Sequence, residues 1–288
     1  MTRQSAVAAL AVTAALGSLP DAAQRFSSNT LGVRVDVLVT ENGRPLGGLT
    51  AADFVLRDNG VVQRISVVDA TEVPVNVVLA LDASESVAGA RRAGLIAAAE
   101  SLIDGLKPVD RVGLTTFSHA VAPSAPLTSD FAAVRTALRA IVPRGLTSVM
   151  DGVYVALTAT LEQPGRLLLV VCTDGTDTTS WLQPAEVLEA SKRANAVIYA
   201  VTSGDAPRSS SLSDLTESSG GRLLPVRPGA GLRQTFQSIL SEFRTRYVLA
   251  YSPEGVQPGG FHRLEIAVPK RRAAVRARAG YIGMGQPR

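Results

Sequence analysis

Hydrophobic positions along this chain change rhythm twice. Over residues 31–69, Val33, Val35, Val37 and Val39 alternate with Arg34, Asp36 and Leu38, the pattern of a strand with one buried face. Asn42-Gly43 reads as a turn, Thr50 can cap a short helical turn over 51–54, and Asp58-Asn59-Gly60 turns the chain before a strand over 63–68. After Pro74, apolar runs alternate with amphipathic stretches, which predicts a parallel sheet with crossover helices. The runs 75–81 and 166–172 are apolar enough for strands covered on both faces. Further strands are expected at 111–117 and 196–201, with a short return strand at 121–127 and a weaker one at 221–226. Helices are expected over 87–106, from a cap at Ser129 or Asp130 to 141, over 147–161 with Thr147 opening it, and over 184–194, 212–218 and 232–243. The last part returns to β character, with strands at 247–251, 261–268 and 273–281.

These elements predict an α/β fold: a mainly parallel open sheet with helices on both faces, and a small β layer beside it. Neither terminal β segment is large enough to hold a core alone, so one layer built from both ends is the economical arrangement. The expected boundaries are a leader over 1–23, an N-terminal β segment over 24–73, the α/β unit over 74–243 and a C-terminal β segment over 244–284.

Composition narrows the function classes. The net charge of +4 is spread along the chain and all but three of the 29 basic residues are arginine, so it predicts ordinary solvated faces and no nucleic-acid partner. The single cysteine, Cys172, excludes an internal disulfide and a cysteine-rich metal site, and its apolar neighbours predict a buried, inert thiol. At the start, Arg3 precedes an Ala/Val/Leu stretch from Ala6 to Leu16, then small residues and Pro20. This is a secretory signal pattern with cleavage expected after Gly17 or Ala23. The apolar stretch is too short to span a membrane, and no cysteine follows it to carry a lipid anchor. A secreted or periplasmic protein is expected.

The candidate chemistry gathers where strands end. Residues 75–86, VNVVLALDASES, switch from apolar to polar at Asp82, Ser84 and Ser86, where the strand should surface. Ligands of open α/β sheets bind in the crevice outside such carboxyl ends. Thr147 and Asp174 fall in two further loops of the same kind. Hydroxyls, carboxylates and water suit a magnesium-like cation. The hydroxyls are neutral, so two aspartates leave the ion electrophilic and a carboxylate from a partner would complete its shell. Each residue also has a plain structural reading, Asp82 and Asp174 as loop caps, Ser84, Ser86 and Thr147 as helix caps; their joint occurrence favours the metal site.

The constellation resembles the metal-ion-dependent adhesion site of von Willebrand factor type A domains. The resemblance rests on Asp82-Ala83-Ser84-Glu85-Ser86 as D-x-S-x-S, on Thr147 in GLTSVMDG and on Asp174 in CTDG, in the right order and strand context. The flanks VRVDVLVTENGRPLGGLTAADFVLRDNGVVQRI, LSEFRTRYVLAYSPEG and RARAGY are similar to bacterial secreted proteins called VWFA-related acidobacterial-type. The resemblance implies a Rossmann-like fold, Mg2+ (or Mn2+ or Ca2+) as the ion, and protein binding rather than catalysis. It implies Ser84 and Ser86 as direct ligands, Thr147 joining directly or through water, and Asp82 and Asp174 holding waters and hydroxyls. It also implies that the last helix, 232–243, is an element that moves in some members. Two positions depart from the family: Glu85 stands where small residues are common, and Leu146 where Gly is usual. Glu85 is expected to face solvent.

Other candidates carry less. Asp151 is expected to support the site by hydrogen bonding or to be exposed; His119 to be a polar loop residue near the rim; Trp181 to be an exposed rim anchor; Asp177 to be surface. G-x-S-x-G, H-E-x-x-H, the P-loop and G-x-G-x-x-G are all missing, so no enzyme is expected. Lys270, Arg271, Arg272, Arg276 and Arg278 form a basic stretch that predicts a charged sheet edge, or else the contact surface of a structural assembly component.

Overall fold

A computed structural model describes residues 32–70, 73–161, 163–203, 209–227 and 231–283. The expected leader lies outside these residues. The chain opens with strands β1 (Val33–Glu41), β2 (Arg44–Pro45), β3 (Val55–Asp58), β4 (Val61–Val62) and β5 (Ser66–Val68). The α/β unit follows as β6 (Val75–Asp82), α1 (Ala90–Asp104), β7 (Arg111–Phe117), β8 (Val121–Thr128), α2 (Phe131–Arg139), α3 (Val149–Thr158), β9 (Arg166–Thr173), α4 (Pro184–Arg193), β10 (Ala196–Ser203), α5 (Ser210–Ser218), β11 (Arg222–Val226) and α6 (Leu232–Arg244). Strands β12 (Tyr247–Tyr251), β13 (Gly260–Ala267), β14 (Ala274–Arg276) and β15 (Gly280–Gly283) complete it.

The central sheet has the order β11-β10-β9-β6-β7-β8, parallel throughout except for the return strand β8 at one edge. Strands β6 and β9 lie in its middle, and every residue of both is buried, which is why their sequences are mostly apolar, with polar residues mainly at their ends. Alternate side chains serve the two faces. Val75, Val77, Leu79 and Leu81 of β6 pack with α1, α2 and α6, while Val78 and Ala80 pack with α3, α4 and α5. From β6 the chain crosses to β7 on one side, and from β9 to β10 on the other. The loops after β6 and β9 therefore diverge and leave a crevice at the carboxyl edge between them.

Helix starts follow local capping. Asp130, rather than Ser129, caps α2 by accepting from the Ala133 amide at 3.0 Å. Thr147 does not open α3: Ser148 is the capping position and the helix begins at Val149, which leaves the Thr147 side chain outside the helix. Residues 85–87 form a separate 3-10 turn, and α1 starts only after Gly89 takes a positive φ of 66°.

The flanks combine as two antiparallel sheets sharing one core. One has the order β14-β1-β12-β5 with β2 added to β1; the other is β15-β13-β3-β4. Each takes strands from both ends of the chain, and Val35, Val37, Leu56, Leu249, Tyr251 and Leu264 fill the space they share. The expected single strand over 273–281 is broken, with β14 pairing β1 and β15 pairing β13. At the break the chain meets the α/β unit. Ala279 donates to the Ser218 carbonyl at 2.8 Å, and the Ala277 backbone runs so close to Gly220 that a Cβ there would lie 2.4 Å from the Ala277 carbonyl carbon. Beyond the break, Arg278 donates to the Lys192 carbonyl and to Asn195 near the end of α4, so it belongs to the interior contacts rather than to an exposed basic stripe. Arg276 stays exposed on the edge strand β14.

A buried carboxylate ties the two small sheets together. Asp58 on β3 accepts from Tyr251 of β12 at 2.8 Å and Tyr281 of β15 at 2.9 Å, and its other oxygen lies 2.8 Å from His262 Nδ1 on β13. Arg166, at the start of β9, joins this layer to the central sheet by pairing with Asp36 of β1 and donating to the Phe243 carbonyl of α6. Among the described residues no helix is long and apolar enough to cross a membrane. Asp58→Ala removes the acceptor shared by Tyr251, Tyr281 and His262 and is expected to cost about 3 kcal/mol, measured as the shift in urea denaturation.

Candidate metal centre

The site begins with Asp82, the last residue of β6, whose side chain is fully buried. Its Oδ1 accepts from the Ser84 amide at 2.8 Å and its Oδ2 from Thr173 Oγ1 at 2.6 Å. The first bond folds the DASES loop back on itself; the second ties it to the end of β9. Burial raises the Asp82 pKa, and the bonds from Ser84 and Thr173 oppose that rise. Asp82 thus acts both as the loop cap that its local sequence allows and as the link between the first and third loops.

The loop is stitched on its other side too. The Ala83 amide donates to the Phe117 carbonyl at 2.7 Å, the Arg144 amide to Ala83 at 2.9 Å, and the Glu85 amide to Gly145 at 3.0 Å. Gly145 has φ of 69° and lies directly under the His119 ring, a place where a Cβ would fall 2.1 Å from Nδ1. These contacts fix Ser84 and Ser86, whose hydroxyl oxygens stand 2.9 Å apart. Ser86 Oγ donates to Asp174 Oδ1 at 2.6 Å, which brings the third loop to the first.

Thr147 joins through its neighbours. Its carbonyl accepts from the Thr178 and Thr179 amides, and its amide donates to Thr178 Oγ1 at 3.2 Å. Its own hydroxyl borders the third loop, since a Cβ placed on Gly175 would be 3.6 Å from it. Asp174, Ser86 and Ser84 form a continuous chain of oxygens, and Thr147 flanks it beside Gly175.

The remaining candidates separate clearly. Asp151 accepts from the Trp181 and Leu182 amides at 3.0 Å each, so it holds the loop between β9 and α4. Trp181 is thereby presented to solvent, 91% exposed. Glu85 is exposed, and so is His119, whose Nδ1 is 3.5 Å from Ser118 Oγ and apart from the oxygen chain. Asp177 is partly exposed, as a surface position should be, but its carboxylate is engaged. Its carboxylate accepts from Ser180 Oγ at 2.7 Å and from the Met150 amide at 2.9 Å, satisfying the first turn of α3. Cys172 is buried one residue before Thr173, and burial pushes its thiol pKa up.

Sequence reasoning missed two participants. Thr173 is the one hydroxyl ending an otherwise apolar strand, a signal that could have marked it as a support for the neighbouring carboxylate. Arg91, in the first turn of α1, donates from Nη1 to Asp174 Oδ2 at 2.9 Å and to the Ser86 carbonyl at 3.1 Å. Nothing in its local sequence distinguishes Arg91 from Arg92, which instead bonds the carbonyls of Ile141 and Arg139.

The donors fit a hard divalent cation. Neighbouring ligands around an octahedral ion with bonds of ~2.1 Å are about 3.0 Å apart, and the serine hydroxyls show that spacing. Among the described residues, no group of three or more His, Cys, Asp or Glu side chains comes together, so hydroxyls would have to supply much of a shell here.

A family model for the von Willebrand factor type A domain matches residues 76–235, more than half of the chain. The chain belongs to this family. Among solved structures, a von Willebrand factor type A protein from Catenulispora acidiphila has a TM-score of 0.54 at 13% identity, covering 89% of this chain and 75% of that one. Proximal thread matrix protein 1 from the mussel byssus, in a form with a zinc-occupied MIDAS motif, also has a TM-score of 0.54, at 16% identity, covering 64% of this chain. The chain spans about half the length of that mussel protein, 49%. At these identities the likeness is one of fold. No curated protein matches.

Thr173→Val keeps the side-chain shape but removes the hydroxyl that donates to the buried Asp82 carboxylate. It is expected to cost about 1.5–3 kcal/mol, read from urea denaturation in EDTA.

Proposed function

We propose that this chain is an extracytoplasmic binding module that takes a divalent cation at Ser84, Ser86, Thr147, Asp82 and Asp174 and uses it to hold an Asp or Glu carboxylate of a protein partner. The observation that carries the reading is the pair of serine hydroxyls 2.9 Å apart, continued to Asp174 and seated on a carboxylate with no exposure of its own. Oxygen donors favour Mg2+, with Mn2+ or Ca2+ as alternatives, over the zinc of the mussel protein, since zinc prefers nitrogen and sulfur. Few protein charges face the ion, so it keeps enough positive character to attract an acid. The leader-like residues 1–23 support an extracytoplasmic location.

No reaction is assigned to the chain in this reading. Its two histidines serve elsewhere, His262 against Asp58 in the β layer and His119 over Gly145. The exposed Trp181 adds an apolar contact at the same rim, the kind of residue that anchors protein interfaces.

Calorimetric titration with Mg2+ and Mn2+ is expected to show one site per chain, absent in Asp82→Ala. Partner capture from the source cell envelope is expected to fail both in EDTA and with Asp82→Ala. Capture that is equally strong in EDTA would rule out a metal-bridged contact.

A further inference from the structure

We propose that Arg91 sets the charge of the metal site, weakening its hold on a bare cation so that the loaded site remains a receptor for acids. The inference rests on the cation reading above and adds a residue that the recognised motif does not contain.

The placement is specific. Asp174 divides its two oxygens, Oδ1 taking the Ser86 hydroxyl at 2.6 Å and Oδ2 taking Arg91 Nη1 at 2.9 Å. The same Nη1 reaches the Ser86 carbonyl at 3.1 Å, so the guanidinium is anchored to both the first and third loops. Asp174 is almost wholly buried, with a side-chain exposure of 2%, whereas Arg91 is 57% exposed and continues to the surface. Arg91 thus brings one positive charge to the third loop.

Charge counting gives the consequence. Asp82 and Asp174 bring two negative charges to the oxygen cluster, and Arg91 cancels one of them. Glu85 points to solvent, where water and salt weaken its influence. A divalent ion then leaves the site with one net positive charge, which a single carboxylate from a partner neutralises. Without Arg91 the two aspartates would already balance the ion, and an incoming acid would make the site negative. Arg91 therefore trades affinity for the ion against affinity for the acid.

The test is calorimetric titration of the full chain with Mn2+ after chelator treatment, for the wild type, Arg91→Gln and Arg91→Lys. Removing a unit charge within several ångströms of a divalent ion should tighten Mn2+ binding by roughly three- to tenfold in Arg91→Gln. Arg91→Lys, which keeps the charge, should stay within about twofold of the wild type on the same electrostatic grounds. Repeating the titrations with acetate in place of chloride should tighten Mn2+ binding in the wild type more than in Arg91→Gln; the free-ion correction is common to all variants. Unchanged or weaker Mn2+ binding in Arg91→Gln would overturn the proposal, as would equal tightening in the Gln and Lys variants. A wild-type chain that takes up no Mn2+ would instead remove the cation reading itself.

Discussion

The hydrogen bond between Thr173 Oγ1 and Asp82 Oδ2 joins the ends of the two central strands beneath the oxygen cluster. Both residues are buried, so the carboxylate has been taken out of water and depends on the donors given to it by protein. Those donors come from two different loops, the Ser84 amide in one and the Thr173 hydroxyl in the other. The crevice that opens between β6 and β9 because their connections diverge is thus pinned at its base. Above it, Ser84, Ser86 and Asp174 are held by this contact together with the backbone bonds that stitch the loop to Phe117, Arg144 and Gly145.

Much of this was legible in the sequence because the governing patterns are local. An apolar run with an abrupt polar end defines a central strand, and D-x-S-x-S places three oxygens on one loop without help from elsewhere. The two sheets of the flanks were harder to read. The stretch over 273–281 has the composition of one strand, and the long-range contacts of Ala277 and Ala279 with Gly220 and Ser218, which accompany its change of sheet, leave no local signal. Thr147 looked like a helix cap because it precedes a helix, yet its amide and carbonyl are taken by Thr178, far along the chain. The bonding of the partly exposed Asp177 was hidden for the same reason, since its partners Met150 and Ser180 are assembled only when two loops meet. Arg91 is the extreme case, an arginine beside another arginine, told apart only by which loop each one faces.

The supports around the site are also unequal in kind. Asp82, Asp151 and Asp177 each accept backbone amides and so help to hold loops. Asp174 is different: among the described residues it receives only side chains, from Ser86 and Arg91. It is therefore the carboxylate whose partners can change without unmaking the backbone.

The interleaved flanks also bear on the order of folding. Strand β1 takes its central partner from β12, with Val33 opposite Tyr251 and Val37 opposite Tyr247, so the strand made first must wait for one made near the end. Until then its row of valines has no lasting cover, and its unpaired edge is open to the strands of other chains. Closing so long a loop is slow compared with the local strand–helix steps of the α/β unit. The unit between them would then fold first and bring the two ends together, making it the template on which the flanks assemble.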